Sequence, residues 1–157
     1  MLVYIIDGFN LIHKVSFLRK SSRPHSDLIH YIKNKKLTGS KNNKVIIVFD
    51  GGYNSQAKSI SQGFEVVFSQ QISADEVIKN KLAKIKNKRQ VVVVSDDREI
   101  RDNAKAQRAI SCRIDDFIKV KREKQTRENQ SSEKDISYTL QHEITQELRK
   151  IWLKDGE

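Results

Sequence analysis

The sequence contains few of the residues that cross-link or interrupt a chain. Its 157 residues include one cysteine, one proline, one tryptophan and six glycines. A single cysteine, Cys112, excludes an intrachain disulfide and a zinc site built from several cysteines. Because Cys112 lies in the mixed run Ala109–Ile114, we expect a buried structural thiol. The sequence also lacks any run of about 18 apolar residues and any basic leader followed by an apolar stretch, so we expect a cytoplasmic protein without a membrane partner.

Acidic residues are outnumbered by basic ones. The chain has 30 Lys and Arg against 20 Asp and Glu, a formal net charge of +10. The whole excess lies in residues 1–120, with 22 basic against 12 acidic residues, whereas residues 121–157 hold 8 of each. Such an excess is typical of proteins that bind a polyanion. No basic helix with bulky aromatic residues stands out, so a nucleic acid is favoured over a membrane surface.

Short runs rich in β-branched residues predict the strands. Each run is continuously apolar, a pattern that suits strands covered on both faces in a parallel sheet. Four such runs are found at Leu2–Ile6, Val45–Phe49, Val66–Phe68 and Val91–Val94. A fifth strand is predicted at Ala109–Arg113.

Segments with helical spacing separate these runs. Helices are predicted at Asp27–Lys36, Ser73–Lys86 and Asp97–Gln107, and Ser73 with Glu76 three residues later forms a capping box. Alternating strands and helices predict an α/β fold, a Rossmann-like parallel sheet flanked by helices over residues 1–120. A charged linker, Gln125–Glu133, and an amphipathic helix, Ile136–Leu153, follow in residues 121–157. That helix either packs on the domain or mediates self-association, and the sequence leaves the oligomeric state open.

Aspartates follow the predicted strands. Asp7 follows the first strand and Asp50 the second, Asp96 and Asp97 follow the fourth, and Asp75 lies in the first turn of the capped helix. Each of them has a structural alternative as a helix cap or as part of a tight turn. However, the carboxyl ends of parallel strands meet at the edge where open α/β sheets bind ligands. Their convergence at this edge therefore favours a functional cluster.

Crowded carboxylates of this kind destabilise the metal-free fold unless protons or cations neutralise them. Unit charges about 4 Å apart repel by roughly 4 kcal/mol at an effective dielectric constant near 20. Oxygen ligands without a supporting histidine pattern suit Mg²⁺ or Mn²⁺. Such ions beside a basic surface suit phosphodiester hydrolysis, because the metal supplies hydroxide near neutral pH. Four basic residues are expected near this edge to hold RNA phosphates: Lys14, Lys79, Arg98 and Arg101.

Four pieces of sequence carry a family resemblance. They are Ile6-Asp7-Gly8-Phe9-Asn10, Val48-Phe49-Asp50-Gly51-Gly52, Ser73-Ala74-Asp75-Glu76 and Val94-Ser95-Asp96-Asp97-Arg98-Glu99. In this order the chain resembles the YacP-like NYN domain family of the PIN-like nuclease group over about residues 1–120. The resemblance implies a metal-dependent endoribonuclease acting on single-stranded RNA, and YacP-like members include a ribosome-associated enzyme that cuts messenger RNA. Messenger RNA and the ribosome are therefore expected partners.

The resemblance also implies the site. The residues carried over by position are Asp7, Asn10, Asp50, Asp75 and Asp97. Asn10 would orient Asp7 or a water through its amide, with a helix N-cap as the alternative. Because Asp96 precedes Asp97, the ligand after the fourth strand is Asp96, Asp97 or Glu99.

Two further positions depart from the family pattern. Phe9 replaces the usual tyrosine and is expected to keep its aromatic packing. Arg108 replaces a glycine before the fifth strand, which would strain the turn or add a phosphate contact.

Two other functions remain in competition with the nuclease. The first is a catalytically silent adaptor that binds RNA or the ribosome, which the net charge supports equally well. The second is a phosphatase or nucleotide-handling enzyme with Asp7 as its nucleophile. The second is disfavoured because no aspartate lies two residues after Asp7, where such enzymes usually carry one.

Overall fold

Helices cover both faces of a parallel sheet in the described part of the chain. Its structure, a computed structural model, describes residues 1–52 and 63–119. In these ranges five parallel strands form one sheet in the order β3-β2-β1-β4-β5, which confirms the predicted fold class. The strands are β1 (Val3–Asp7), β2 (Lys44–Phe49), β3 (Phe64–Phe68), β4 (Val91–Val94) and β5 (Ile110–Cys112). The predicted linker Gln125–Glu133, the predicted helix Ile136–Leu153 and most of the loop Gly51–Gly63 lie outside the described residues.

Helices connect the strands. They are α1 (Gly8–Lys14), α2 (Ser16–Arg19), α3 (Pro24–Asn34), α4 (Ala74–Lys84) and α5 (Arg98–Ala106), with a short 3₁₀ turn at Lys88–Gln90; residues 114–119 are also helical. The sequence predicted α3, α4 and α5 with shifted ends, and Ser73 does cap α4, since its Oγ accepts a hydrogen bond from the Glu76 N–H at 3.2 Å. It did not predict α1 and α2, because α1 follows β1 without a linker and consists largely of residues with low helix propensity.

Two hydrophobic cores lie on opposite faces of the sheet. Side chains alternate along each strand, so Ile6 and Ile47 belong to the core beneath α1, α2, α3 and residues 114–119. Ile5 and Val93 belong to the core beneath α4 and α5. Covering both faces explains the continuous apolar runs of the sequence. Cys112 is 2% exposed, which confirms the buried thiol, and burial raises its pKa far above the usual range.

The strand order places a crevice between β1 and β4. The chain runs outward from β1 through β2 to β3 and then returns to β4 on the other side of β1. Ile6 lies opposite Val94 in the parallel register. Asp7 and Ser95, the residues that follow this pair, therefore lie at the topological switch point, where ligands bind in open α/β sheets.

Gly8 allows α1 to begin directly at the end of β1. A Cβ atom at this position would lie 2.6 Å from Cδ1 of Phe49 and 3.0 Å from Cγ2 of Ile47. Phe49 is 1% exposed and its ring packs against the rings of His25 and Phe68, which also contact each other, so it has little room to move. Close packing against β2 therefore requires glycine where the helix starts.

No helix among residues 1–52 and 63–119 is both long enough and apolar enough to cross a membrane.

Candidate active site

Asp7 is held in one orientation by three hydrogen bonds. Its Oδ1 accepts from the backbone N–H of Asn10 at 3.1 Å, so Asp7 is the N-cap of α1. Its Oδ2 accepts from Nδ2 of Asn10 at 2.6 Å and from Oγ of Ser95 at 3.2 Å. Burial raises the pKa of Asp7; the hydrogen bonds from Asn10 and Ser95 oppose this rise, and the negative charge of Asp75 adds to it. The carboxylate is thus rigidly placed in surroundings that disfavour its charge.

Asn10 orients Asp7 and does not cap the helix. The cap position belongs to Asp7 and Asn10 lies three residues later, so the N-cap interpretation of Asn10 is wrong. Its side-chain Nδ2 donates to Asp7 and also lies 3.3 Å from Oγ of Ser95. The other interpretation, orientation of Asp7 through the amide, is the one that these contacts support.

Ser95 links the ends of β1 and β4, and the sequence analysis assigned it no role. Its side chain is fully buried. Its hydroxyl donates to Asp7 and accepts from Nδ2 of Asn10 and, at 3.0 Å, from the N–H of Asp97. The register could have revealed it, because the residue after Val94 must lie beside the residue after Ile6.

Asp97 is the N-cap of α5. Its Oδ1 accepts from the N–H groups of Glu99, at 2.7 Å, and of Ile100, at 3.2 Å. No hydrogen bond within the described ranges occupies its second oxygen. That oxygen is therefore available beside Asp75, whose pKa the charge of Asp97 raises.

Asp96 is bound to a different part of the fold. Its Oδ1 accepts from the backbone N–H of Ile114 at 3.0 Å, at the start of the last helical segment. Its Oδ2 forms an ion pair with Nζ of Lys14 at 3.2 Å. Both oxygens of Asp96 thus have structural partners, and this distinguishes it from Asp97.

Asp75 lies in the first turn of α4, within the electrostatic influence of several other acids. Burial raises its pKa, and the charge of Asp97 raises it next. Lys79 opposes the shift, whereas Glu99 and Asp50 add to it. The carboxylates after β1, β2 and β4 therefore share one electrostatic environment with Asp75.

Asp50 is anchored by a serine of the neighbouring strand. Ser69, the residue after β3, is 4% exposed, and its hydroxyl donates to Oδ1 of Asp50 at 2.8 Å. The same Oγ accepts from the N–H of Gly51 at 3.1 Å. Sequence reasoning missed Ser69, although the pairing of Phe68 with Phe49 places it beside Asp50.

The four acids at this edge, Asp7, Asp50, Asp75 and Asp97, suit a hard cation chemically. They supply only oxygen donors. Burial raises the pKa of Asp7 and Asp75, repulsion between the carboxylates adds to the rise, and a bound divalent cation would oppose it. Even so, among residues 1–52 and 63–119 no three His, Cys, Asp or Glu side chains are arranged so that they could hold a metal ion. The oxygen donors therefore suit Mg²⁺ or Mn²⁺, but the described side chains are not grouped as they would be around a bound ion.

Two of the predicted RNA-binding residues are paired with acids. Lys14 lies 3.2 Å from Asp96 and 3.0 Å from Asp115. Lys79 forms an ion pair with Glu99. An RNA phosphate would have to compete with these carboxylates.

The two predicted arginines are less engaged. Nε of Arg98 lies 3.5 Å from Asp102, and its side chain is 89% exposed. Nε of Arg101 is buried and has no hydrogen-bond partner in the described part of the chain. Arg98 therefore retains exposed donors that a phosphate could use, whereas the Nε of Arg101 faces the protein interior.

Phe9 lies on the surface in the first turn of α1. It is 54% exposed, and its ring contacts the imidazole of His13 at 4.3 Å between centroids. Phe9 therefore makes an aromatic contact, as expected, but this contact lies on the surface and not in a hydrophobic core. Its ring is presented two residues after Asp7.

Known families and structures resemble this chain. The family model described as the YacP-like NYN domain matches residues 4–154. Two crystal structures of Rae1 (YacP) from Bacillus subtilis are similar, each at 20% sequence identity. A mutant form has a TM-score of 0.58 and the alignment covers 100% of both chains. The other has a TM-score of 0.62, with 99% of this chain and 84% of that chain covered. No curated protein sequence matches, and at this identity the structures show a shared fold alone.

Proposed function

The chain belongs to the YacP-like NYN domain family, and on that premise we propose that it is a metal-dependent endoribonuclease that hydrolyses phosphodiester bonds in single-stranded RNA. The observation that carries the proposal is the set of mutually repelling carboxylates at the β1–β4 switch point, where the pKa values of Asp7 and Asp75 are raised. Surroundings that disfavour ionised carboxylates are typical of functional sites.

Each acid has a distinct part in the proposed site. Asp7, Asp75 and Asp97 would hold Mg²⁺ or Mn²⁺, and Asp50 would complete the set from the end of β2. Metal bound there would supply hydroxide near neutral pH, and a second ion would stabilise the leaving oxygen. Asp96 is left out of this set because Lys14 and Ile114 occupy its oxygens.

Asn10 and Ser95 are positioning residues in this proposal. They donate to the same Oδ2 of Asp7 and so fix the plane of its carboxylate. Ser95 also accepts from the N–H of Asp97 and couples the two acids. Such partners of ligands commonly change metal affinity or activity by about 10- to 100-fold when removed.

The surroundings of the acids favour an unpaired strand. Phe9, two residues after Asp7, is exposed, and stacking of an exposed aromatic ring on a base of a single-stranded nucleic acid contributes about 1–3 kcal/mol. Arg98 and Arg101 would hold flanking phosphates. Lys14 and Lys79 would do so after their ion pairs with acidic side chains are broken. Messenger RNA on the ribosome remains the proposed biological substrate.

A second function, a catalytically silent RNA- or ribosome-binding adaptor, is supported by one observation. Among the described residues no three metal-binding side chains are grouped closely enough for a metal ion. An adaptor would need the basic charge and the fold, but it would not need acidic side chains grouped around a metal ion.

The test is cleavage of a labelled single-stranded RNA with Mn²⁺, Mg²⁺ or EDTA, with and without ribosomes. Asp7→Asn should abolish cleavage and leave folding and RNA binding intact. Asp102→Asn is the matched control, since it removes one negative charge from the exposed middle of α5. Cleavage that survives in both Asp7→Asn and Asp97→Asn would contradict the site. Intact RNA that is still bound by the wild-type protein in every condition would favour the adaptor.

A further inference from the structure

Charge is distributed unevenly between the two edges of the sheet. The carboxyl edge, where the strands end, carries the acids described above: Asp7, Asp50, Asp75 and Asp97. The amino edge, defined as residues 35–44, 85–90 and 105–109, leads into β2, β4 and β5. These three segments carry four, three and two Lys or Arg and no Asp or Glu: Lys35, Lys36, Lys41, Lys44, Lys86, Lys88, Arg89, Lys105 and Arg108. The basic surplus predicted for a polyanion partner is therefore concentrated opposite the candidate active site.

Most of these cations are exposed and unpaired. Two have structural roles: Lys44 pairs with Glu65 at 3.2 Å, and Lys88 donates to main-chain carbonyls at the end of α4, including that of Ile85 at 2.7 Å. The remaining seven are exposed and form no ion pair with any described residue: Lys35, Lys36, Lys41, Lys86, Arg89, Lys105 and Arg108. Their charges are thus available to a ligand.

We propose that the amino edge binds the phosphate backbone of a folded, base-paired RNA, at a site separate from the acids. The positive charges are spread over three loops, which suits a repeating line of phosphates and not one small anion. Helix α4, with 11 residues, spans about 16 Å between the two edges. One RNA can therefore be held at the amino edge while another strand reaches the acids.

The other features of the amino edge favour a duplex. The exposed large hydrophobic residues in the described ranges are Met1, Phe9, Phe17 and Ile72. None of them belongs to the three segments of the amino edge, so these segments offer no exposed large apolar side chain for stacking on single-stranded bases. A membrane surface would require a broader apolar face beside the charges. Phosphate recognition without base contacts predicts binding that depends on salt and not on sequence.

The test compares two fourfold variants of equal net charge. The amino-edge variant carries Lys41→Gln, Lys86→Gln, Arg89→Gln and Lys105→Gln. The control variant carries Arg19→Gln, Lys20→Gln, Arg23→Gln and Arg113→Gln, at exposed positions outside the amino edge. Binding of a fluorescent RNA hairpin is measured by anisotropy in EDTA at several salt concentrations, and circular dichroism confirms that both variants are folded.

We expect the amino-edge variant to bind the hairpin at least about tenfold more weakly near 0.1 M salt, because phosphate contacts dominate such affinity. The slope of log K against log salt should fall by roughly 0.9 for each phosphate that the variant no longer neutralises, or about 3.6 for four. The control variant should resemble the wild type.

Equal losses in both variants would overturn the proposal, because net charge alone would then explain binding. Binding of the wild type to phosphatidylserine vesicles but not to the hairpin would overturn it in favour of a membrane. Where the wild type cleaves a short single-stranded RNA, the amino-edge variant should cleave it equally well. Loss of hairpin binding at the amino edge can thus be distinguished from loss of cleavage at the acids.

Discussion

Replacing Ser95 by alanine tests the geometry of the candidate site without removing an acid. The buried hydroxyl makes one hydrogen bond to a carboxylate and two to neutral groups. A hydrogen bond to a charged group contributes about 1.5–3 kcal/mol and a neutral one about 1 kcal/mol. The three contacts are 3.0–3.3 Å long, so we take the lower value for the charged bond, which gives about 3.5 kcal/mol in total. For a domain of this size we expect the melting temperature to fall by about 7–14 °C.

The effect on metal binding should be separable from the effect on stability. Without Ser95, Asp7 loses one of its two Oδ2 donors and the Asp97 N–H loses its acceptor. The Mn²⁺ concentration that gives half of the thermal stabilisation, and half of any cleavage, should rise by about 10- to 100-fold.

The matched control is Asn43→Ala, at the amino edge. The Asn43 side chain accepts from the N–H of Leu2 and donates to the carbonyl of Thr38, both at 2.8 Å. Its removal should lower stability by about 2 kcal/mol and leave the Mn²⁺ dependence unchanged. An unchanged Mn²⁺ dependence in Ser95→Ala, or an equal change in Asn43→Ala, would refute the role given to Ser95.

Three further substitutions test local features of the fold by thermal unfolding. Gly8→Ala should destabilise the protein by about 1–3 kcal/mol, because the new methyl group meets the Phe49 ring; an unchanged melting temperature would contradict this. Arg108 has a φ of +63° at the end of α5, so Arg108→Gly should stabilise by about 1 kcal/mol, and a loss of stability would count against strain there. Hydrogen bonds and ion pairs with Lys81 and Lys44 hold the pKa of Glu65 below its usual 4.5. Because a lowered pKa stabilises the fold above that value and the gain is lost on acidification, Glu65→Gln should lower stability by about 0.5–1 kcal/mol at neutral pH and by nothing near pH 2. The same loss at both pH values would contradict it.

Strain at Arg108 illustrates how sequence and structure complement each other. The sequence raised two interpretations of an arginine in place of glycine, a strained turn or a phosphate contact. The structure shows the positive φ, and the N–H of Ala109 closes the helix end on the carbonyl of Ala104 at 2.9 Å. It also places Arg108 on the amino edge with the exposed cations, so both interpretations remain compatible with the fold.

Local sequence determined the elements of this protein and the positions of its acids. Continuous apolar runs indicated a sheet covered on both faces, and Asp7, Asp50 and Asp97 could be placed at strand ends because a strand end is visible in a short stretch of sequence. The helices α3, α4 and α5 were predicted for the same reason, since their periodicity and caps are local features.

Tertiary structure alone decided which side chains meet. Ser95 contacts Asp7 across 88 positions of sequence and Ser69 contacts Asp50 across 19, and both contacts depend on strand order and register. A shift of one residue in register would turn each side chain to the opposite face of the sheet. Strand order and register also explain why the charge of Asp97 acts on Asp75 whereas its neighbour Asp96 pairs with Lys14. They likewise bring three basic segments that are distant in sequence together at the amino edge. Strand order and register come from packing over the whole chain, so no local segment encodes these contacts.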